Sequence, residues 1–376
     1  AASSGDLIQV MPGTYYEYNI STDGKAVTIE GSVDDSGLLT IVDAQQQDHV
    51  FVIDSSEGDD TVLRNLVITN GLTSVDDGGG IRCSGTSPTI EGCLISNNTC
   101  TGGVDGGGAV VLGGSPSFLN CIFEGNSAQQ GGGLGCFSSA EPYISGCIFR
   151  NNEATVEGGG IYHRDNCSLT IEGGVLLENT AAGSHGGGIY SKNGSLNASG
   201  ELIRLNTATI DGGGIYAIES KLSIDECEVV DNDAQYGGGI YMTVDSVLVA
   251  SDCLIDNNTA EIRGGGIRLS NTASCTMANC MIINNSCVEY GGGVSCDGAS
   301  VRTFIDCVVS YNSASYAGGF FNNQDESDTR LDNTYVCGNV PDQIPGAYTD
   351  LGGSTVEEIC ADSDSDGIPD AVDNCD

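Results

Sequence analysis

The sequence predicts an all-β fold, a parallel β-helix in which a unit of about 27 residues is stacked into a solenoid of about 10 to 12 coils. Three observations carry that prediction: a recurring triple glycine, an asparagine that recurs in step with it, and apolar runs of four to six residues with no helical periodicity.

The triplets begin at Gly78, Gly106, Gly131, Gly158, Gly186, Gly212, Gly237, Gly264 and Gly291, with a degenerate copy at Ala317-Gly318-Gly319. Their spacing stays between 25 and 28 residues. Asn70, Asn98, Asn126, Asn152, Asn179, Asn206, Asn232, Asn258, Asn285 and Asn312 hold the same period. Two independent markers sharing one period over so long a stretch are not a product of composition alone. Each unit reads as a short strand, an Asn, a variable turn, the glycines and a second strand, as in Cys253 to Ala260 followed by Gly264 to Ile267.

Each marker has a physical task in such a coil. Glycine accepts positive φ and close backbone approach, so the triplet lets the chain turn where a side chain would strike the next coil. An Asn at one slot per coil stacks into an amide ladder. Asn126, Asn152, Asn179 and Asn206 are therefore expected in consecutive coils about 5 Å apart.

Cysteine shares the register. Cys93, Cys121, Cys147, Cys227, Cys253, Cys280 and Cys307 lie five residues before the ladder Asn, interrupted by Gly174 and Glu201. Two residues after it lie Ala128, Ala154, Ala181, Ala208, Ala234, Ala260 and Ala314, with Cys100 and Cys287 in the same slot. Such recurrence marks packed, inward positions where a thiol serves as a small hydrophobe. Disulfides between coils remain an alternative, although parallel in-register strands aim neighbouring Cβ atoms alike, and a metal ladder is disfavoured because no His shares the slot.

The ends differ from the middle. Residues 1–70 read as an N-terminal cap with first coils, 71–320 as the repeats, 321–360 as a C-terminal cap and 361–376 as an acidic tail. Cys337 and Cys360 fit no ladder slot and are predicted to be disulfide-bonded across the C-terminal cap.

Composition bounds function. With 12 basic and 52 acidic residues the formal net charge is −40, which repels nucleic acid and favours divalent cations or basic partners. No transmembrane run is present in the sequence, and the 17 Cys favour an oxidising, extracellular or cell-surface location. Seven N-x-S/T triplets, at Asn19, Asn97, Asn166, Asn193, Asn197, Asn257 and Asn284, are glycan acceptors where the source glycosylates such sites. Strand alternation turns Asn97, Asn257 and Asn284 outward.

These markers resemble those of single-stranded right-handed parallel β-helix repeat proteins, particularly the polymorphic outer membrane protein type, with its Gly-Gly-small-aliphatic motif and F-x-x-N. F-x-x-N stands at Phe123 to Asn126 and at Phe149 to Asn152; other coils carry Ile, Leu or Val in place of Phe. The opening Gly5-Asp6-Leu7-Ile8-Gln9-Val10-Met11-Pro12-Gly13-Thr14-Tyr15 resembles the first coil of bacterial secreted β-helix proteins, in which a capping helix precedes it. The resemblance implies a bacterial exported protein and a right-handed coil. It spans adhesins, surface-layer parts and polysaccharide lyases, so it leaves activity open.

The tail carries the most explicit site chemistry. Counting Asp362 as position 1, acids fall at positions 1, 3, 5, 9 and 12 and Gly367 at position 6, where a Ca²⁺ loop bends. Asp362, Asp364, Asp366, Asp370 and Asp373, with the Ile368 carbonyl, are the predicted Ca²⁺ ligands. The segment also resembles a thrombospondin type 3 calcium repeat, truncated after Asn374-Cys375-Asp376, and that resemblance implies the same five Asp ligands.

No catalytic residue is identified. His49, His163 and His185 share no repeat slot and read as surface variation. Asp77, Asp105, Glu157 and Asp211 share the slot before the glycines and read as a solvated turn, or as an edge that gathers cations. Arg263 and Arg268, flanking one triplet, are the one basic pair placed to cooperate. The expectation is a noncatalytic surface scaffold or adhesin that self-associates or meets other surface proteins and glycans. The alternative is a polysaccharide lyase or epimerase, for which clustered Arg or Lys and acids in one groove would be the mark.

Overall fold

A computed structural model of the chain describes residues 2–35, 37, 39–298, 300–323 and 328–361. The regular elements among the described residues are all β-strands, mostly two to five residues long. They fall into two compact units, Ala1–Asn197 and Ala198–Asp376.

In the first unit each strand pairs in parallel with its counterpart one coil on. One face runs in register through Ile81, Ala109, Leu134, Ile161 and Ile189. A second runs through Leu94, Ile122, Ile148 and Val175, and a third through Thr89, Ser117, Tyr143 and Thr170. The second unit repeats the plan, with Ile215, Ile240, Ile267, Val294 and Phe320 on the face after the glycines. Glu228, Leu254, Met281, Val308 and Tyr335 follow one another on another face. Each unit is thus a parallel β-solenoid, as the period predicts.

Strict alternation sets which side chains fill the interior. In Ser168–Glu172 the buried positions are Leu169 and Ile171, and in Val247–Ser251 they are Leu248 and Ala250. Along the stack like meets like: the F-x-x-N phenylalanines Phe123 and Phe149 lie ring on ring, with centroids 4.4 Å apart. Each such fully buried side chain contributes about 1.5–3 kcal/mol of transfer free energy.

The amide ladder forms as expected. Asn126 donates its side-chain Nδ2 and its backbone N–H to Asn152 Oδ1 at 3.0 and 3.1 Å, and Asn152 repeats this toward Asn179. In the second unit the ladder runs from Asn206 through Asn232, Asn258, Asn285 and Asn312 to Asn339, and Gln343 closes it. Asn70 is an exception to the predicted marker. Gly71 takes its coil's ladder slot and donates its N–H to Asn98 Oδ1 at 2.8 Å, while Asn70 is the preceding turn residue at φ 57°. Asn97, Asn257 and Asn284 occupy the same turn position, at φ near 54°, and are exposed.

The glycines act by two different means. Gly237 sits at φ 60°, whereas Gly238 and Gly239 are squeezed by the following coil. A Cβ on Gly238 would lie 2.2 Å from the Thr259 carbonyl oxygen.

The described cysteines are buried, in keeping with the packed slot. Cys337 and Cys360 are joined by a disulfide, as predicted, and the remaining described thiols are reduced.

Candidate functional site

Two outward-facing slots converge beside each glycine triplet: the residue just before it and the second residue after it. Because the triplet carries no side chains, long groups from these slots lean over it and pack together.

In the second unit this brings aromatic and cationic residues into one strip. Tyr236, Arg263, Tyr290 and Tyr316 follow one another in the slot before the glycines. Tyr216, Tyr241, Arg268, Ser295 and Phe321 follow one another in the slot after them. The Arg263 guanidinium lies 5.4 Å from the Tyr290 ring centroid and 5.5 Å from that of Phe321. Arg268 lies 4.4 Å from Tyr236 and 4.9 Å from Tyr241. Both reach Asp297: Arg263 Nη1 donates to its two carboxylate oxygens at 2.8 and 2.9 Å, and Arg268 Nη2 to Oδ2 at 3.3 Å.

A third arginine lies behind this group. Arg302 takes an inward slot filled by Leu222, Leu248 and Cys275 in the coils before it and by Thr329 in the coil after, and is fully buried. Its guanidinium donates to the Asp297 and Gly298 carbonyls at 2.8 and 3.0 Å. Sequence reading picked out Arg263 and Arg268 but missed Asp297 and Arg302. For Arg302 a signal existed, since alternation in Val301–Ile305 puts it on the same side as Phe304.

In the first unit the slot before the glycines holds Asp77, Asp105, Gln130, Glu157 and His185. Gln130 links two of the acids, its N–H donating to Asp105 Oδ1 at 3.1 Å and its Nε2 to Glu157 at 3.0 Å. Asp77 Oδ1 accepts the Asp105 N–H at 2.9 Å. Asp105 is 8% exposed, which corrects its reading as a solvated turn: the glycine turn folds it beneath its neighbours. Burial, and then the Asp77 carboxylate, push its carboxyl up to about 7. Arg164, over the Phe137 ring at 5.1 Å, partly offsets that rise.

The histidines also depart from expectation. His163 is fully buried, because in Ile161–Arg164 it shares the inward side with Ile161. Among the described residues neither ring nitrogen has a hydrogen-bond partner, and desolvation lowers its pKa to about 4. His49 is buried too, with Nδ1 2.6 Å from the Gly78 carbonyl oxygen. His185, at intermediate exposure, sits beside Tyr190.

The predicted calcium ligands Asp362, Asp364, Asp366, Ile368, Asp370 and Asp373 lie outside the described residues. Among the described residues no three His, Cys, Asp or Glu side chains converge as metal ligands, and no helix is long and apolar enough to cross a membrane.

No curated protein matches the sequence significantly. Among solved structures, the chain resembles a mannuronic acid specific polysaccharide family 6 lyase from human gut microbiota, with a TM-score of 0.44 and 11% identity over 93% of this chain and 87% of that one. It also resembles the A-module of the Azotobacter vinelandii mannuronan C-5 epimerase AlgE6, with a TM-score of 0.37 and 12% identity over 94% and 91%. The right handed beta helix region family matches residues 25–203 and 173–336. With the stacked parallel faces and the amide ladder, this match places the chain in the right-handed β-helix family.

Proposed function

We propose that this chain is a noncatalytic, extracellular or cell-surface β-helix, a structural and adhesive scaffold that forms part of a larger assembly and contacts glycans through its arginine–aromatic strip. One observation carries this reading. Asp297 is held by Arg263 and Arg268, and both guanidiniums are also held over aromatic rings. The three charged groups are thus already paired with one another and with rings, which fixes them as one surface. What the strip offers is a rigid surface of rings and positive charge, suited to sugar faces and their acidic substituents. Glycan-array screening followed by calorimetry tests the reading: binding is expected to weaken about tenfold or more in Arg263→Ala and Tyr290→Ala. Polymer shortened or unsaturated by the intact protein would refute it.

A Ca²⁺ ion held by Asp362, Asp364, Asp366, Asp370, Asp373 and the Ile368 carbonyl belongs to the same proposal, supported by the ligand spacing. Assembly depends on that ion, because the acidic copies otherwise repel one another. Light scattering with Ca²⁺ and with chelator tests it, and an unchanged monomer in both would sink the assembly.

A second reading, a polysaccharide lyase or epimerase, is favoured by Asp105. A carboxyl raised to about 7 beside Tyr162 and Arg164 is poised for proton transfer near neutral pH. Turnover of a uronate polymer that disappears in Asp105→Asn would establish it.

A further inference from the structure

The second unit contains a column of thiols. Cys227, Cys253, Cys280 and Cys307 occupy one inward corner slot in four successive coils, each 2% exposed or less. The backbone aligns them: Leu254, Met281 and Val308 donate their N–H groups to the Cys227, Cys253 and Cys280 carbonyls, each at 2.9 Å. Their S–H groups donate to backbone carbonyls two residues back: Cys227 to Asp225 at 3.3 Å, Cys253 to Ser251 at 3.1 Å, Cys280 to Ala278 at 3.2 Å and Cys307 to Ile305 at 3.2 Å. One coil earlier the slot holds Glu201, 1% exposed. One coil later it holds Thr334, whose hydroxyl accepts the Cys307 N–H at 3.4 Å.

We propose that this column binds soft monovalent cations that favour linear two-sulfur coordination, copper(I) above all, each ion seated between the sulfurs of adjacent coils. The solenoid's own pitch supplies the geometry. Adjacent parallel strands lie about 4.8 Å apart, and two collinear metal–sulfur bonds of about 2.3 Å span about 4.6 Å. Sulfur ligands select copper(I) over harder ions. The absence of a converging three-ligand set among the described residues works in the same direction, since zinc would need four ligands around one point.

Charge balance also suits the buried setting. One monovalent ion enters, one of its two thiols releases a proton to solvent, and the other keeps its own. The product is a neutral thiolate–metal–thiol unit, so no net charge is left in the apolar interior. No atom changes oxidation state.

The test uses the reduced full chain, equilibrated to constant mass with silver(I) nitrate in chloride-free buffer and, separately, with anaerobic copper(I)–acetonitrile complex. Native mass spectrometry counts the ions, and X-ray absorption reads their ligands. The expected result is a shell of two sulfurs, with fewer ions bound by Cys253→Ala and fewer still by Cys253→Ala/Cys280→Ala. Far-UV circular dichroism identifies a folded variant; should the double variant fail to fold, the single one decides. An ion count unchanged by these substitutions, a shell of oxygen or of three sulfurs, or uptake by urea-unfolded protein alone would overturn the proposal. Thiols that merely fill space predict the last of these results.

Discussion

Acidification should act on this protein through two buried groups of opposite sign. His163 has a folded pKa of about 4 against an ordinary 6.5, so its contribution to stability is complete above pH 6.5 and is lost as pH falls toward 4. Asp105 has a folded pKa of about 7 against an ordinary 3.8, so its contribution is complete below pH 3.8 and is lost as pH rises through 7. Between about pH 7 and about pH 5, linkage gives a loss of about 2 kcal/mol from His163 and a gain of about 2 kcal/mol from Asp105. In the native chain the two nearly cancel, and single substitutions unmask them. Relative to the native protein over the same interval, Asp105→Asn should lose about 2 kcal/mol on acidification and His163→Leu should gain about 2 kcal/mol. Urea titrations followed by far-UV circular dichroism at both pH values measure this, because the other carboxylates are common to all three proteins and drop out of the differences. Parallel pH profiles for the three would refute the burial argument for both residues.

Three further outcomes follow from the packing. Asn258→Leu removes the acceptor of the Asn232 N–H and Nδ2 and should cost about 3 kcal/mol or more, whereas Asn257→Gly, one residue away at φ 54°, should be neutral or stabilising in the same titration. Gly238→Ala should cost about 3 kcal/mol or prevent folding, as read by circular dichroism, because its Cβ would meet the Thr259 carbonyl. Cys337→Ser/Cys360→Ser should lower stability by about 3 kcal/mol through loop entropy, seen as a fall in thermal midpoint that reductant reproduces in the native protein.

The solenoid was legible because its determinants repeat. A triplet that admits no Cβ and an amide that bonds to its own copy leave the same trace in every coil. Asn70 shows where such counting slips: an Asn in the turn and an Asn in the ladder are adjacent in many coils, and only pairing tells Asn70 from Gly71. His163 and Arg302 were legible in principle from strand alternation, yet their polarity suggested the surface. Asp297 left no trace. It ends its strand, and its value depends on Arg263 reaching it from 34 residues back. Asp105 likewise has an ordinary turn sequence, and its raised pKa arises from what the coil folds over it.

The amide ladder of the second unit also has a direction in time. From Asn206 onward, every side chain donates to the Asn of the coil that follows it in sequence. A chain emerging from the ribosome therefore always ends in a coil whose amide awaits an acceptor not yet synthesised. Each new coil satisfies the one before it and exposes the same need in itself, so the array grows with a single unfinished end. Gln343 finishes it: its Oε1 accepts the last Asn339 amide, and its Nε2 folds back onto the Asn339 carbonyl. The ladder of this unit thus ends on an acceptor from its own turn, although Thr349–Gly352 and Thr355–Glu357 still pair onto the coil before them.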